Sequence, residues 1–207
     1  RFDTKKRYLA TKVSIKKASI KTVEPRSSFF DNLKTIVAKE FTSSNVSMPA
    51  LENIYGKSRI YKSAAPKLKF VDGDLLLSDS TAPSLSLVHR LTIFGGGSFP
   101  SLKMVDALII HDTNDKTDLK LAFPKLTAVG RNLGLDQIRP KEKNALRNSF
   151  PSLKIIGGDI FLPDDVDVDI IFSKLEVVSH LYGSIEKIKA PKLQLLSGFH
   201  GPELSHS

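Results

Sequence analysis

The stretch that decides the fold is Phe99-Pro100-Ser101-Leu102-Lys103-Met104-Val105, and FPKLTAV at 123–129 and FPSLKII at 150–156 repeat it closely. Six weaker copies complete a set of nine: APKLKFV (65–71), APSLSLV (82–88), MPALENI (48–54), APKLQLL (190–196), FSKLEVV (172–178) and FDNLKTI (30–36). Most copies share a small or aromatic residue, a proline, a leucine and a final valine or isoleucine. Self-similarity at a fixed spacing predicts an array in which each unit buries its apolar face against its neighbours.

The period of the array is short. Counted from the proline position, the copies start at 31, 49, 66, 83, 100, 124, 151, 173 and 191, and the basic spacing is 17 or 18 residues. After the valine, two or three spacers precede an alternating segment such as Leu75-x-Leu77, which predicts a short strand in each unit. Proline cannot donate to a ladder and is expected in the turn that enters the strand. Glycine is expected where a third spacer has to be absorbed.

These patterns predict a mainly β fold, a single right-handed solenoid of about nine short coils with a parallel sheet. Residues 1–29 are expected to form a basic N-terminal cap, 30–198 the solenoid and 199–207 a C-terminal tail. Lysines interleaved with apolar residues over 8–23 favour one or two edge strands in the cap. Longer spacings between copies predict insertions at 111–122, 136–149 and 163–171, the second with a helix-like segment that begins at Pro140.

An aromatic spine is expected inside the array, because phenylalanine precedes the proline position in five copies. Each ring buries about 150–250 Å² when it is enclosed, so the spine supplies stability. Its members are Phe30, Phe99, Phe123, Phe150 and Phe172.

The pattern P-x-L-x-x-V-x-G-x-L-x-L resembles leucine-rich repeats, in the variant found in receptor L-domain-like proteins and in bacterial surface or secreted proteins. The resemblance covers about residues 30–198 and implies a secreted or cell-surface protein that acts on host targets. Two features depart from it: the asparagine after the strand is missing, and the period is shorter than the roughly 20–29 residues of ordinary members. The return side of each coil is therefore expected to be a tight turn, and a β-helix is the structural alternative.

Composition and charge limit the classes of function. Of 207 residues, 41% are hydrophobic and 26% are charged, which is typical of one globular domain. No cysteine is present, which excludes a disulfide framework. Residues 1–30 carry +7 of the net charge of +9. This asymmetry suggests an alternative function, an anion-binding module for nucleic acid or acidic membrane. Its candidate residues are Lys5, Lys6, Arg7, Lys12, Lys16 and Lys17.

The sequence offers no motif for catalysis, a cofactor or a metal. The five histidines occupy different repeat positions, and neither an H-x-x-x-H pair nor a G-x-S-x-G elbow occurs. The acidic run from Asp165 to Asp169 imitates a calcium loop, but Ile170 stands where the loop needs glycine. We therefore expect a protein that is not an enzyme.

The candidate binding surface comes from the strands. Residues between and just after the inward positions of each L-x-L segment are expected to face solvent, and here they are unusually apolar and aromatic. Such patches usually mark interaction sites, and Tyr, Phe and Arg are common anchors. The row comprises Arg59, Tyr61, Leu76, Thr92, Phe94, Ile109, His111, Phe161 and Tyr182. We expect it to bind a protein partner. A third possibility, a carbohydrate-active or carbohydrate-binding solenoid, requires paired carboxylates that this row lacks.

Overall fold

Strands dominate the structure, a computed structural model that describes residues 12–21, 31–111, 121–138, 146, 148–163, 172–183 and 195–200. The strands are β1 (Lys12–Lys21), β2 (Thr35–Ser44), β3 (Asn53–Tyr61), β4 (Phe70–Ser78), β5 (Leu87–Phe94), β6 (Gly97–Ser98), β7 (Met104–His111), β8 (Leu121–Ala122), β9 (Ala128–Val129), β10 (Leu133–Gly134), β11 (Ile155–Phe161), β12 (Val177–Tyr182) and β13 (Leu195–His200). No helix among these residues is long and apolar enough to cross a membrane.

One parallel sheet contains most of the strands, in the order β1-β2-β3-β4-β5-β7-β10-β11-β12-β13, with β9 paired to β7 and β11. On the return side, β6 and β8 form a second, two-stranded parallel sheet. The expected mainly β solenoid with a parallel sheet is confirmed, and a β-helix also describes it. It has about seven turns, fewer than the nine coils expected from the count of phrases. Each of the nine phrases leads into a strand of the large sheet.

In every phrase whose proline lies within the described residues, that proline is in a tight turn, as the sequence predicts. In the turn around Pro66 the Leu68 amide donates to the carbonyl of Ala65 at 3.1 Å, and the same bond joins Leu85 to Ala82. Proline thus occupies the second position of a four-residue turn, where its fixed φ is favourable. The following leucine is buried, so the turn also sets the first inward side chain of each coil.

Glycine absorbs the third spacer, as expected. The register of β4 against β5 shifts between Val71 and Asp74, where β4 has one residue more than its partner. Gly73 lies in this bulge with φ of 139°, a backbone conformation that residues other than glycine rarely adopt. The bulge keeps both the valine before it and the leucine after it inside the core.

A corner ends each of the first coils, and buried serines hold it. Lys62 and Asp79 adopt positive φ of 45° and 48° at equivalent positions, and each is followed by a buried serine. The Ser63 amide donates to Ser80 Oγ at 3.1 Å, and Ser80 Oγ lies 2.7 Å from the Ser78 carbonyl. These serines satisfy backbone groups that would otherwise be buried without partners. They lie just after the strands, in the region where the leucine-rich-repeat resemblance predicts an asparagine that this sequence lacks.

The aromatic spine is confirmed for its described members. Phe99 stacks on Phe123 with ring centroids 5.2 Å apart, and Phe123 stacks on Phe150 at 5.0 Å. Phe172 continues the series at 5.6 Å from Phe150 and is tilted by 35°. All four rings are buried. Phe30 lies outside the described residues.

The ends and insertions are partly described. β1 pairs in parallel with β2 at the edge of the large sheet, where the sequence predicts an edge strand. The predicted insertion at 111–122 is narrower, because its first residue ends β7 and its last two form β8. Most of the helix-like segment after Pro140 and of the insertion at 163–171 lies outside the described residues, and β13 extends to His200.

Candidate functional site

The outward face of the large sheet holds the predicted binding row. Leu75 and Leu77 are buried, whereas Leu76 between them is only partly buried, so the predicted alternation is correct. Register places Arg59, Leu76, Thr92 and Ile109 on one line across four strands. We call the whole predicted row the strand-end band, because its residues lie at the carboxyl ends of their strands.

The aromatic members of the strand-end band stack in pairs. The rings of Phe94 and His111 are 4.5 Å apart and within 9° of parallel, and those of Phe161 and Tyr182 are 5.0 Å apart and within 14°. Tyr61 lies on the same line as Phe94, with Ser78 between them. Stacking restricts the rotamers of these side chains before any partner arrives, which lowers the entropy cost of binding.

A charged ladder crosses the outward face beside this band. Arg90 Nη1 and Lys57 Nζ each lie 3.9 Å from Asp74 Oδ2. Further along, His180 Nδ1 lies 3.0 Å from Asp159 Oδ1. These side chains are substantially exposed, so each pair contributes only about 0–1 kcal/mol to stability. The ladder separates the strand-end band from a second apolar surface.

That second surface, the strand-start band, lies where the strands begin. Leu87, Met104 and Ile155 are 44%, 53% and 45% exposed. Register aligns them in one line across six strands, and Phe70, Ala128 and Val177 complete it. The sequence interpretation missed this band because it treated these positions as spacers of the phrase. The signal was present: the residue before the final valine or isoleucine is apolar in all six of these copies.

A groove of about 350 Å³ lies along the part of the strand-start band that β4, β5 and β7 form. Phe70, Leu87 and Met104 line it on one side, and Asp72 and Asp106 lie among its other lining residues. Such a volume is within the range of small-ligand and peptide side-chain pockets. The groove therefore offers an apolar surface with acidic residues on the side nearer the charged ladder.

Asp106 is held in its ionised form by its neighbours. Arg131 Nε donates to Asp106 Oδ2 at 2.8 Å, and a second guanidinium nitrogen also contacts this oxygen. His89 Nδ1 lies 3.6 Å from the same carboxylate. The hydrogen bonds from Arg131 lower the pKa of Asp106, against a smaller opposing effect of burial, and the pKa of Arg131 is raised in turn.

A lysine edge borders the strand-start band on its other side. The two spacers that flank the leucine of each phrase contain seven lysines and two glutamates in the eight described copies. Both glutamates are paired, Glu52 with Lys69 and Glu176 with Lys154, each at 3.2 Å. The remaining five lysines are exposed and make no ion pair within the described residues: Lys34, Lys67, Lys103, Lys125 and Lys174. Because net charge is summed along the chain, it does not reveal this edge.

The alternative anion-binding residues are only partly placed. Lys12 is exposed on β1, Lys16 and Lys17 belong to the same strand, and Lys5, Lys6 and Arg7 lie outside the described residues. Within the described part of the chain, no three His, Asp or Glu side chains form a group that could hold a metal ion.

Comparison with protein-family models, with curated proteins and with solved structures finds no match for this chain. The surface chemistry of the solenoid is therefore the basis for inferring its function.

Proposed function

We propose that this protein is a non-enzymatic protein–protein recognition module that binds its partner through the outward face of the large sheet. One observation carries the proposal. Among the described residues, the exposed large hydrophobic side chains are Tyr55, Leu87, Met104 and Ile155, and all four lie on this face near the starts of strands. With the strand-end band on the other side of the charged ladder, they make this face rich in apolar and aromatic side chains, which water disfavours and a partner protein would cover.

The finer proposal is that the chain is a leucine-rich-repeat-like recognition solenoid of a secreted or surface protein, as the resemblance of its repeated motif suggests. The tight proline turn and the inward leucine of each coil support it. The serine corner replaces the asparagine ladder and distinguishes this chain from ordinary leucine-rich repeats. In its most specific form, the proposal is that this is a bacterial protein that recognises host targets.

The test compares the proteins captured by the wild-type chain with those captured by the double variant Phe94→Ala, Phe161→Ala. These rings lie in different stacked pairs of the strand-end band, so both halves of the band lose an anchor. Anchors in an interface commonly change affinity by about 2 kcal/mol or more, and we expect the captured partner to be lost.

The matched control is Thr127→Ala, Ser152→Ala, which truncates two side chains on the turn edge outside the band. This variant is expected to retain the partner. Circular dichroism and thermal unfolding establish that both variants are folded. An unchanged set of partners with the folded double-phenylalanine variant would remove the strand-end band from the proposal.

A further inference from the structure

The strand-start band is a straight apolar line with a defined length. Its six residues lie on six successive strands, from Phe70 on β4 to Val177 on β12. Neighbouring strands are separated by about 4.8 Å, so the line is about 24 Å long. Leu87 and Met104 are about half exposed and line the groove, so the band is a shallow trough with apolar walls over β4, β5 and β7. Ile155, also about half exposed, lies farther along the same line.

The distance between successive residues of the band matches the repeat of an α-helix better than that of an extended peptide. Apolar residues on one face of an α-helix recur about once per 5.4 Å turn, whereas alternate residues of an extended strand recur every 6.6 Å or so. Over five steps across the sheet, a helix laid along the band drifts by about 3 Å and an extended peptide by about 9 Å. A helix can therefore place one apolar residue on each coil along the whole band.

The charge beside the band specifies the partner further. The lysine edge runs along the strand-start band, and the five lysines that make no ion pair in the described part of the chain include Lys103 and Lys125 in neighbouring coils. The opposite side holds Asp72, Asp106 and the charged ladder, whose signs alternate. An acidic stripe on one flank of a helix would be complementary to the lysine edge, and carboxylates elsewhere on the helix would be repelled.

We propose that the strand-start band binds an acidic amphipathic helix of a partner protein. The apolar face of the helix lies in the trough, one residue per coil, and its acidic flank faces the lysine edge. This inference rests on the proposed recognition function and names the partner class for one of the two apolar bands. An anionic membrane would also attract lysines, but the exposed Asp72 on the other side of the trough would be repelled by it.

The test uses a synthetic helix of about 18 residues, long enough to cover the band. The peptide carries leucine at helical spacing, glutamate on one flank and glutamine elsewhere, and a fluorophore at its N-terminus. Fluorescence anisotropy gives its Kd for the full 207-residue chain. A second peptide with lysine in place of each glutamate, and a third with the leucines scrambled, control for charge and amphipathicity.

Two double variants and one control variant locate the peptide. Leu87→Ser, Met104→Ser is expected to weaken binding by about tenfold or more, because it removes exposed apolar anchors from the trough. Lys103→Glu, Lys125→Glu is expected to weaken it about three- to tenfold, an effect that high salt abolishes. Lys62→Glu changes an exposed lysine at the other end of the strands and is expected to leave Kd within about twofold.

Other outcomes would overturn the inference. These are no binding of the acidic peptide, equal binding of the lysine peptide, or a Kd that Leu87→Ser, Met104→Ser leaves unchanged. Binding to phosphatidylserine vesicles that depends on Leu87 and Met104, without peptide binding, would assign the band to a membrane. If the peptide fails while partner capture still depends on Phe94 and Phe161, the recognition function stands and only the helix is rejected.

Discussion

The aromatic spine allows a quantitative test of how coils stabilise one another. Phe123 is fully buried and stacks on a ring in each neighbouring coil, Phe99 at 5.2 Å and Phe150 at 5.0 Å. Phe172 is also buried but has a single described ring neighbour, tilted and 5.6 Å away. A buried Phe→Ala change typically costs about 3–5 kcal/mol, and each stacked aromatic pair adds about 0.5–1.5 kcal/mol beyond area burial.

We therefore expect Phe123→Ala to reduce the free energy of unfolding by about 4–5 kcal/mol and Phe172→Ala by about 1 kcal/mol less. Urea unfolding monitored by circular dichroism measures both losses of free energy. The comparison is valid when the variants and the wild type share the same slope of unfolding free energy against urea concentration. Phe123→Leu keeps most of the side-chain volume but removes both ring pairs, so this comparison variant is expected to cost about 1–3 kcal/mol. Equal costs for the two alanine variants would refute stacking between coils as a source of stability.

Three further predictions concern the coil itself. Gly56→Ala should destabilise by about 3 kcal/mol or more in urea unfolding, because φ is 119° and the added Cβ would collide with the carbonyl oxygen of Ala38 on β2. Gly134→Ala, whose Cβ would meet its nearest atom at 3.5 Å, is the control and should cost far less. Ser43→Ala should raise stability by about 1 kcal/mol, since this buried hydroxyl has no hydrogen-bond partner among the described residues, and a lower melting temperature would contradict this. Asp106→Asn should lower stability at neutral pH: Arg131 lowers the folded pKa of Asp106, so its contribution is complete above the ordinary value of 3.8 and disappears as the pH falls through the lower folded value. A wild-type advantage that persists below that pH would exclude this pair as its source.

Much of the coil follows from the phrase. The inward leucine and valine, the proline turn and the glycine bulge were predictable because each depends on residues close together in the chain. The serine corner was not predicted, because the sequence shows only that the asparagine after the strand is missing and does not show what Ser63 and Ser80 bond to. Their role requires a hydrogen bond between residues 17 apart in the chain.

The candidate surface was only half predicted. The strand-end band follows from alternation within a strand, and its residues lie where the sequence places them. The strand-start band occupies a fixed position in the phrase and could have been recognised from its apolar composition. The charged ladder could not have been recognised from the sequence, because neighbouring coils differ in their number of spacers. Only register shifts between the strands align Asp74 with Arg90, and Asp159 with His180.

The sequence by itself determined the period, the turn, the core and the direction in which each side chain points, because these depend on local backbone geometry and on which residues avoid water. Only the tertiary structure decided which outward residues from separate coils form a continuous surface. On a parallel sheet that alignment depends on the register between strands, and the bulges change it by a residue from coil to coil. The lysine edge and the apolar trough become one surface only when the coils are stacked.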